Sequence, residues 1–334
     1  MRKQVQSSCC QSKSNSFFWF LSMIKIVEVG PRDGLQNETA IVPTAVKADF
    51  VNALSETGVS EIEVSAFVSP RRVPQLSDAD KVFRKISRRD GVIYSALVPN
   101  EKGLDRAISV GVDKISVFTA ASETFNLKNI NRSVESSIQL FRPLVKRAHS
   151  IGLPVRGYIS TAFWCAFEGK IAPATVINVA ERLCDIGVDE VSISDTIGKA
   201  SPDEVTELLD LILPKISSKQ IAMHFHDTYG KGIENVLASW SCGIRVFDAS
   251  VGGIGGCPFA PGATGNVSTE SVVKALQRKS KTVSIDLQKL LEARQLLDPF
   301  LIEERRTIPE GGSHNCATCE YFTENVCCGR ELRD

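Results

Sequence analysis

Of the four histidines in the chain, two stand two residues apart, in Met223-His224-Phe225-His226-Asp227-Thr228. Residues two apart in a β-strand share a face, so a strand here projects both imidazoles together. Two buried rings side by side cost desolvation, and a divalent cation relieves that cost. A third donor is Asp33, in Gly30-Pro31-Arg32-Asp33-Gly34-Leu35-Gln36, which completes a mixed nitrogen and oxygen metal site. Taken alone, Asp33 would suit a turn equally well. A second constellation is the run Gly252 to Asn266, with six glycines and two prolines in fifteen residues. That composition makes a mobile but shaped loop, and its single thiol, Cys257, is a candidate proton donor or nucleophile delivered on closure. Asn266, at the loop's far end, offers the cation a neutral oxygen. Two further acids stand in strand-like runs, Glu63 in Glu63-Val64-Ser65 and Asp195 in Ser194-Asp195-Thr196.

The elements that must position these residues follow from a repeated junction, Gly-(Val/Ile)-x-x-apolar. It occurs at Gly58, Gly111 and Gly187, and more loosely at Gly243. Each glycine suits the left-handed position that ends a helix, and each run after it is β-branched. Eight strands are predicted, at 24–29, 61–67, 92–98, 113–118, 154–160, 189–194, 221–226 and 244–250. Stretches with apolar spacing near 3.6 lie between them, such as 43–57, 134–150, 174–186 and 203–212. Strand and helix alternating eight times imply parallel strands and right-handed crossovers. The fold class is therefore α/β, a (β/α)8 TIM barrel with a glycine-rich catalytic loop after strand 8. In that architecture chemistry gathers where strands end, as the polar residues do here. No Gly-x-Gly-x-x-Gly follows the first strand, which removes the main support for an open dinucleotide-binding sheet.

The composition suits one soluble enzyme. The 334 residues are 43% hydrophobic and 23% charged, with 39 basic side chains against 39 acidic ones. Zero formal charge argues against a nucleic-acid binder that works by bulk electrostatics. The apolar run Phe17 to Leu21 is too short for a bilayer, so no membrane role is expected. Residues 1–22 read as an extension outside the fold, 23–297 as the barrel domain, and 298–334 as an irregular tail. The extension is either a transit peptide or sequence upstream of Met23; the missing arginine-rich amphipathic pattern favours the latter, and with it a cytoplasmic location over a mitochondrial matrix. Cysteines crowd the two ends, and only Cys165, Cys184, Cys242 and Cys257 fall in the body, without framework spacing; free thiols in a reducing compartment are expected. Cys316 and Cys319, with Cys327 and Cys328, have too short a gap for an ordinary zinc ribbon.

Three separated motifs resemble one family in the same order: Val27 to Glu38, the strand His224 to Gly230, and the Gly-Gly-Cys-Pro-Phe-Ala-Pro-Gly loop. They resemble the hydroxymethylglutaryl-CoA lyases, over roughly Ile24 to Glu292. The resemblance implies a divalent-metal barrel enzyme that cleaves 3-hydroxy-3-methylglutaryl-CoA into acetyl-CoA and acetoacetate, in leucine breakdown and ketone-body formation. It implies Asp33, His224, His226 and Asn266 as ligands, Arg32 as the substrate-activating cation and Cys257 as the catalytic thiol. Ligation by nitrogen and oxygen without thiolate suits Mg2+ or Mn2+. Glu63 and Asp195 either position Arg32 or substrate or form buried ion pairs; Gln36 is a candidate substrate contact; the general base is Asp33 or His224. The partner is a small CoA thioester, and a homodimer or higher homo-oligomer is consistent with the fold. A rival reading is a related condensing enzyme that joins an acyl-CoA to a 2-oxoacid. Ala162 to Gly169 is bulkier than the family's usual pattern, and the resemblance ends at Glu292.

Overall fold

The structure, a computed structural model, describes residues 24–257, 260–279 and 283–301, and for 256, 257 and 260–264 it describes the backbone alone. The expectations for residues 1–22 and for the cysteines of the C-terminal tail fall outside these residues.

Eight strands form the barrel: β1 (Lys25–Glu28), β2 (Glu61–Ala66), β3 (Ile93–Leu97), β4 (Lys114–Ala120), β5 (Val155–Ser160), β6 (Glu190–Asp195), β7 (Ile221–Phe225) and β8 (Val246–Ala249). Each pairs in parallel with its neighbours in sequence, and β8 pairs with β1 to close the sheet. All eight predicted strands are present, with ends that differ by at most two residues. Helices cover the outside, among them α1 (Thr44–Ser55), α2 (Val134–Ser150), α3 (Pro173–Asp185) and α4 (Pro202–Ile212). The last begins with a capping box in which Ser201 and Glu204 satisfy each other's backbone N–H groups. Two of the predicted junction glycines show why the position excludes other residues. Gly58 has φ +93° and Gly187 φ +98°, and a Cβ on Gly58 would come 2.5 Å from the Ser284 carbonyl oxygen. None of the described helices is long and apolar enough to cross a membrane.

Apolar side chains fill the layer between sheet and helices, where Phe50, Leu54, Ile62, Leu209 and Phe247 have no exposed surface. The inside of the barrel is different. Lys114 on β4 reaches Glu61 on β2 at 3.2 Å, and Arg156 on β5 reaches Asp248 on β8 at 2.7 Å. These strands are not neighbours, so the contacts cross the interior. Alternating charges therefore occupy space that branched aliphatic residues fill in most such barrels.

Three local features depart from the sequence reading. After β1 the chain makes one π-helical turn, Gly30–Gly34, an element for which no expectation was drawn from the sequence. Beyond β5, Trp164–Cys165 pairs antiparallel with Gly169–Lys170 in the segment noted as bulky. The loop after β8 contains an antiparallel pairing of Gly256–Cys257 with Ala260–Thr264, so ladder hydrogen bonds shape part of it. Its far end is pinned as well: Asp227 N–H donates to Gly265 O at 2.7 Å, Val267 N–H to Phe225 O at 3.1 Å, and Asn266 sits opposite His226 in a β-bridge.

Candidate active site

The π turn after β1 carries Arg32 and Asp33. Its tight backbone places the N–H groups of both Asp33 and Gly34 on the Val29 carbonyl, at 2.8 and 3.1 Å. Beneath it lies Glu28, the last residue of β1 and wholly buried. Glu28 Oε1 accepts from Gly30 N–H (2.9 Å) and Val251 N–H (3.0 Å), and Oε2 accepts from the Thr269 hydroxyl (2.7 Å). One carboxyl thus ties the turn to the start of the loop after β8 and to the helix that follows it. Burial outweighs the three donors and pushes Glu28 up to about 8. A Cβ on Gly30 would lie 2.7 Å from this carboxyl, which explains the glycine.

Arg32 is 6% exposed and held from two sides. Its Nε donates to Glu63 Oε2 at 2.5 Å, its Nη1 donates to Asp33 Oδ1, and its guanidinium stacks over the Tyr158 ring at 5.3 Å. The Tyr158 hydroxyl donates to the same Glu63 oxygen at 3.2 Å. Burial disfavours the charge on Arg32, but Glu63 and then Asp33 more than offset it and hold the guanidinium above its ordinary range.

Asp33 sits at the centre. Its Oδ1 also accepts from Gln36 Nε2 at 2.7 Å, and its Oδ2 accepts from Asn266 Nδ2 at 2.9 Å. The same Oδ2 lies 3.9 Å from His224 Nε2 and 4.0 Å from His226 Nε2. Burial works against the Asp33 carboxylate; Arg32, His224 and His226 overcome it and hold the group well below the usual carboxylate range. Such a carboxylate is a poor base and a good ligand, which weighs against Asp33 in the first role. The two rings lie 5.3 Å apart. Burial, then its neighbour His224, lowers His226 to about 4, so its ring is neutral at neutral pH, as ligation requires.

The donor set fits a divalent cation. One ligand atom each from Asp33, His224 and His226 lies within 4.8 Å of the others. The separations of 3.9 and 4.0 Å are too long for hydrogen bonds and short enough for the pairs to share an ion. Among the described residues Asn266 Oδ1 is buried with no hydrogen-bond partner while its Nδ2 is committed to Asp33 and to Ile254 O, so an unmatched oxygen is available at the same place. An isolated buried acceptor of that kind is costly unless a cation or a donor joins it.

The other expected residues are placed as follows. Glu63 forms a buried ion pair with Arg32. Asp195 belongs to β6, but its carboxylate folds onto its own loop and accepts from Ala200 N–H (2.9 Å) and Lys199 N–H (3.2 Å). Burial raises it to about 7 despite those bonds. Gln36 faces Asp33. The side chain of Cys257 lies outside the described residues. Glu28, Tyr158, Arg156 and Asp248 are parts of the site that sequence reasoning missed. Their signal was present for Arg156 and Asp248: a charged residue inside a β-branched run must point into the barrel when the other face is packed.

The HMGL-like family model matches residues 23–297. A cytoplasmic 3-hydroxy-3-methylglutaryl-CoA lyase of Rattus norvegicus is 46% identical over 270 residues, which are 81% of this chain and 79% of the relative. A mitochondrial hydroxymethylglutaryl-CoA lyase of Bos taurus is 45% identical over 274 residues, 82% of this chain and 84% of that protein. The crystal structure of the HMG-CoA lyase from Brucella melitensis superposes with a TM-score of 0.81 at 45% identity, covering 83% of this chain and 98% of the other. A barrel of this topology, the Asp33-centred site and matches of this extent together make the chain a member of the HMGL-like family.

Proposed function

We propose that this chain is a carbon–carbon lyase that cleaves 3-hydroxy-3-methylglutaryl-CoA to acetyl-CoA and acetoacetate. The observation that carries the reading is the convergence of Asp33, His224 and His226 on one point beside a guanidinium clamped by Glu63. With Asn266, these residues would hold a divalent cation, Mg2+ or Mn2+ by the hardness of the donors. When bound, the cation supplies Lewis acidity, lowering the pKa of a substrate hydroxyl and polarising a neighbouring carbonyl.

The chain's own residues account for the rest. Cleavage breaks the bond between C2 and C3 of the acyl group; the 3-hydroxyl releases its proton to solvent and becomes the ketone of acetoacetate. The electron pair passes to C2 and the thioester oxygen. Arg32, whose charge is permanent and whose Nε and Nη1 are already fixed by carboxylates, is oriented before substrate arrives and stabilises the developing oxyanion. Cys257 then returns a proton to C2, giving the methyl group of acetyl-CoA, and recovers one from solvent.

The test is acetoacetate release from 3-hydroxy-3-methylglutaryl-CoA by purified protein, with and without chelator. Release that disappears on chelation and returns with Mn2+ supports the reading. Inertness toward this thioester, with CoA released from acetyl-CoA when a 2-oxoacid is added, would replace it with the condensing activity.

A further inference from the structure

Asp248 of β8 stands in register with His224 of β7, so the two side chains enter the barrel side by side. Its carboxylate is fully enclosed and meets three polar groups. Asp248 Oδ1 accepts from Arg156 Nη2 at 2.7 Å, while Oδ2 accepts from the Ser192 hydroxyl at 3.0 Å and lies 3.1 Å from His224 Nδ1. Arg156 is anchored in turn by Glu190, 3.2 Å from its Nε. Arginine offers donors only, so a carboxylate beside it stays an acceptor. The nitrogen that faces this carboxylate must therefore carry its hydrogen, since a bare Nδ1 would set one lone pair against another. A neutral imidazole with its proton on Nδ1 has its lone pair on Nε2, the atom that faces Asp33.

We propose that Asp248 is a positioning residue that fixes the tautomer and the ring angle of His224, presenting Nε2 to the metal, with Arg156 as the countercharge that keeps the carboxylate in place. Among the described residues His226 has no such support: its Nδ1 is buried without a hydrogen-bond partner there. The two imidazoles differ as ligands for that reason, one oriented in advance by a carboxylate and the other, among the described residues, by its strand and the Asn266 bridge. The proposal rests on the metal-site reading above.

Two measurements test it. In metal-free wild-type protein, long-range 1H–15N correlation spectra should give His224 a protonated Nδ1 and an unprotonated Nε2; the opposite tautomer would overturn the proposal without any mutation. In Asp248→Asn the amide oxygen must turn to Arg156, which leaves Nδ2 facing His224 and forces its proton onto Nε2. Mn2+ affinity, read by electron paramagnetic resonance of free Mn2+, should then fall roughly 10- to 100-fold, the usual cost of losing a partner that orients a metal-bound histidine. A merely structural role would lower the melting temperature and leave both the His224 nitrogen shifts and the Mn2+ affinity of the folded protein as they are, and that result would overturn the proposal too. Should wild-type protein bind no Mn2+ that His224→Ala abolishes, the metal reading fails by itself, and the tautomer measurement still decides the role of Asp248.

Discussion

Glu28 sets two physical effects against each other, and Glu28→Gln measures which one wins. Three donors favour the carboxylate, whereas complete burial favours the neutral acid; burial prevails and the group rises from 4.5 to about 8. Below pH 4.5 folded and unfolded chains both hold the proton, and the stabilisation is fully present. Between pH 4.5 and about 8 the unfolded chain gives the proton up while the folded one keeps it, so stability is lost as pH rises; above about 8 the loss is complete. At ~1.4 kcal/mol per pH unit, the whole span is worth ~5 kcal/mol. Glutamine has no proton to lose. Its Oε1 can still accept from Gly30 and Val251, and its Nε2 can donate to the Thr269 hydroxyl, which is free to turn. Glu28→Gln should therefore match wild type near pH 5 and exceed it progressively toward pH 8.5, by a few kcal/mol at the top of the range. The assay is urea unfolding of both proteins across that range with chelator present, so that metal linkage is absent from the comparison. Parallel profiles for the two proteins would refute the reasoning and show that the three donors keep Glu28 ionised in the fold.

Other predictions concern the site itself. Glu63→Gln removes the charge that fixes Arg32 Nε; kcat should fall about a hundredfold in steady-state assays with Mn2+ affinity retained, and an undiminished kcat would remove Glu63 from the positioning of Arg32. His226→Ala should weaken Mn2+ binding before any other property, and a titration identical to wild type would refute ligation. Cys257→Ala should lower kcat by orders of magnitude while Mn2+ binds normally; near-normal turnover would take the thiol out of the chemistry.

The sequence was readable where a residue's role follows from local spacing. The His224 and His226 pair is inward-facing because strand geometry alternates every residue, whatever the rest of the molecule does. The junction glycines marked strand starts for an equally local reason, and Gly58 and Gly187 carry the positive φ expected. Asp33 was identified by type, yet its company was not: that its Oδ2 meets Asn266, 233 positions away, depends on the barrel closing. The contacts of Asp195 were likewise beyond the reach of position. It ends a strand, and its carboxylate accepts from the N–H groups of Lys199 and Ala200 in the loop that follows.

The alternation of strand and helix, the faces of those strands and the donor types at their ends follow from the order of residues, because backbone sterics and hydrophobic period act over a few positions. Which charges meet across the barrel was settled by closure of β8 on β1. The curled sheet brings Arg156 to Asp248 across 92 positions, and the register of β7 with β8 puts Asp248 beside His224, although no spacing in the sequence relates the three. A buried charge is tolerable only beside an opposite one, and the partner is defined by where strands lie in space, a property that belongs to the folded chain.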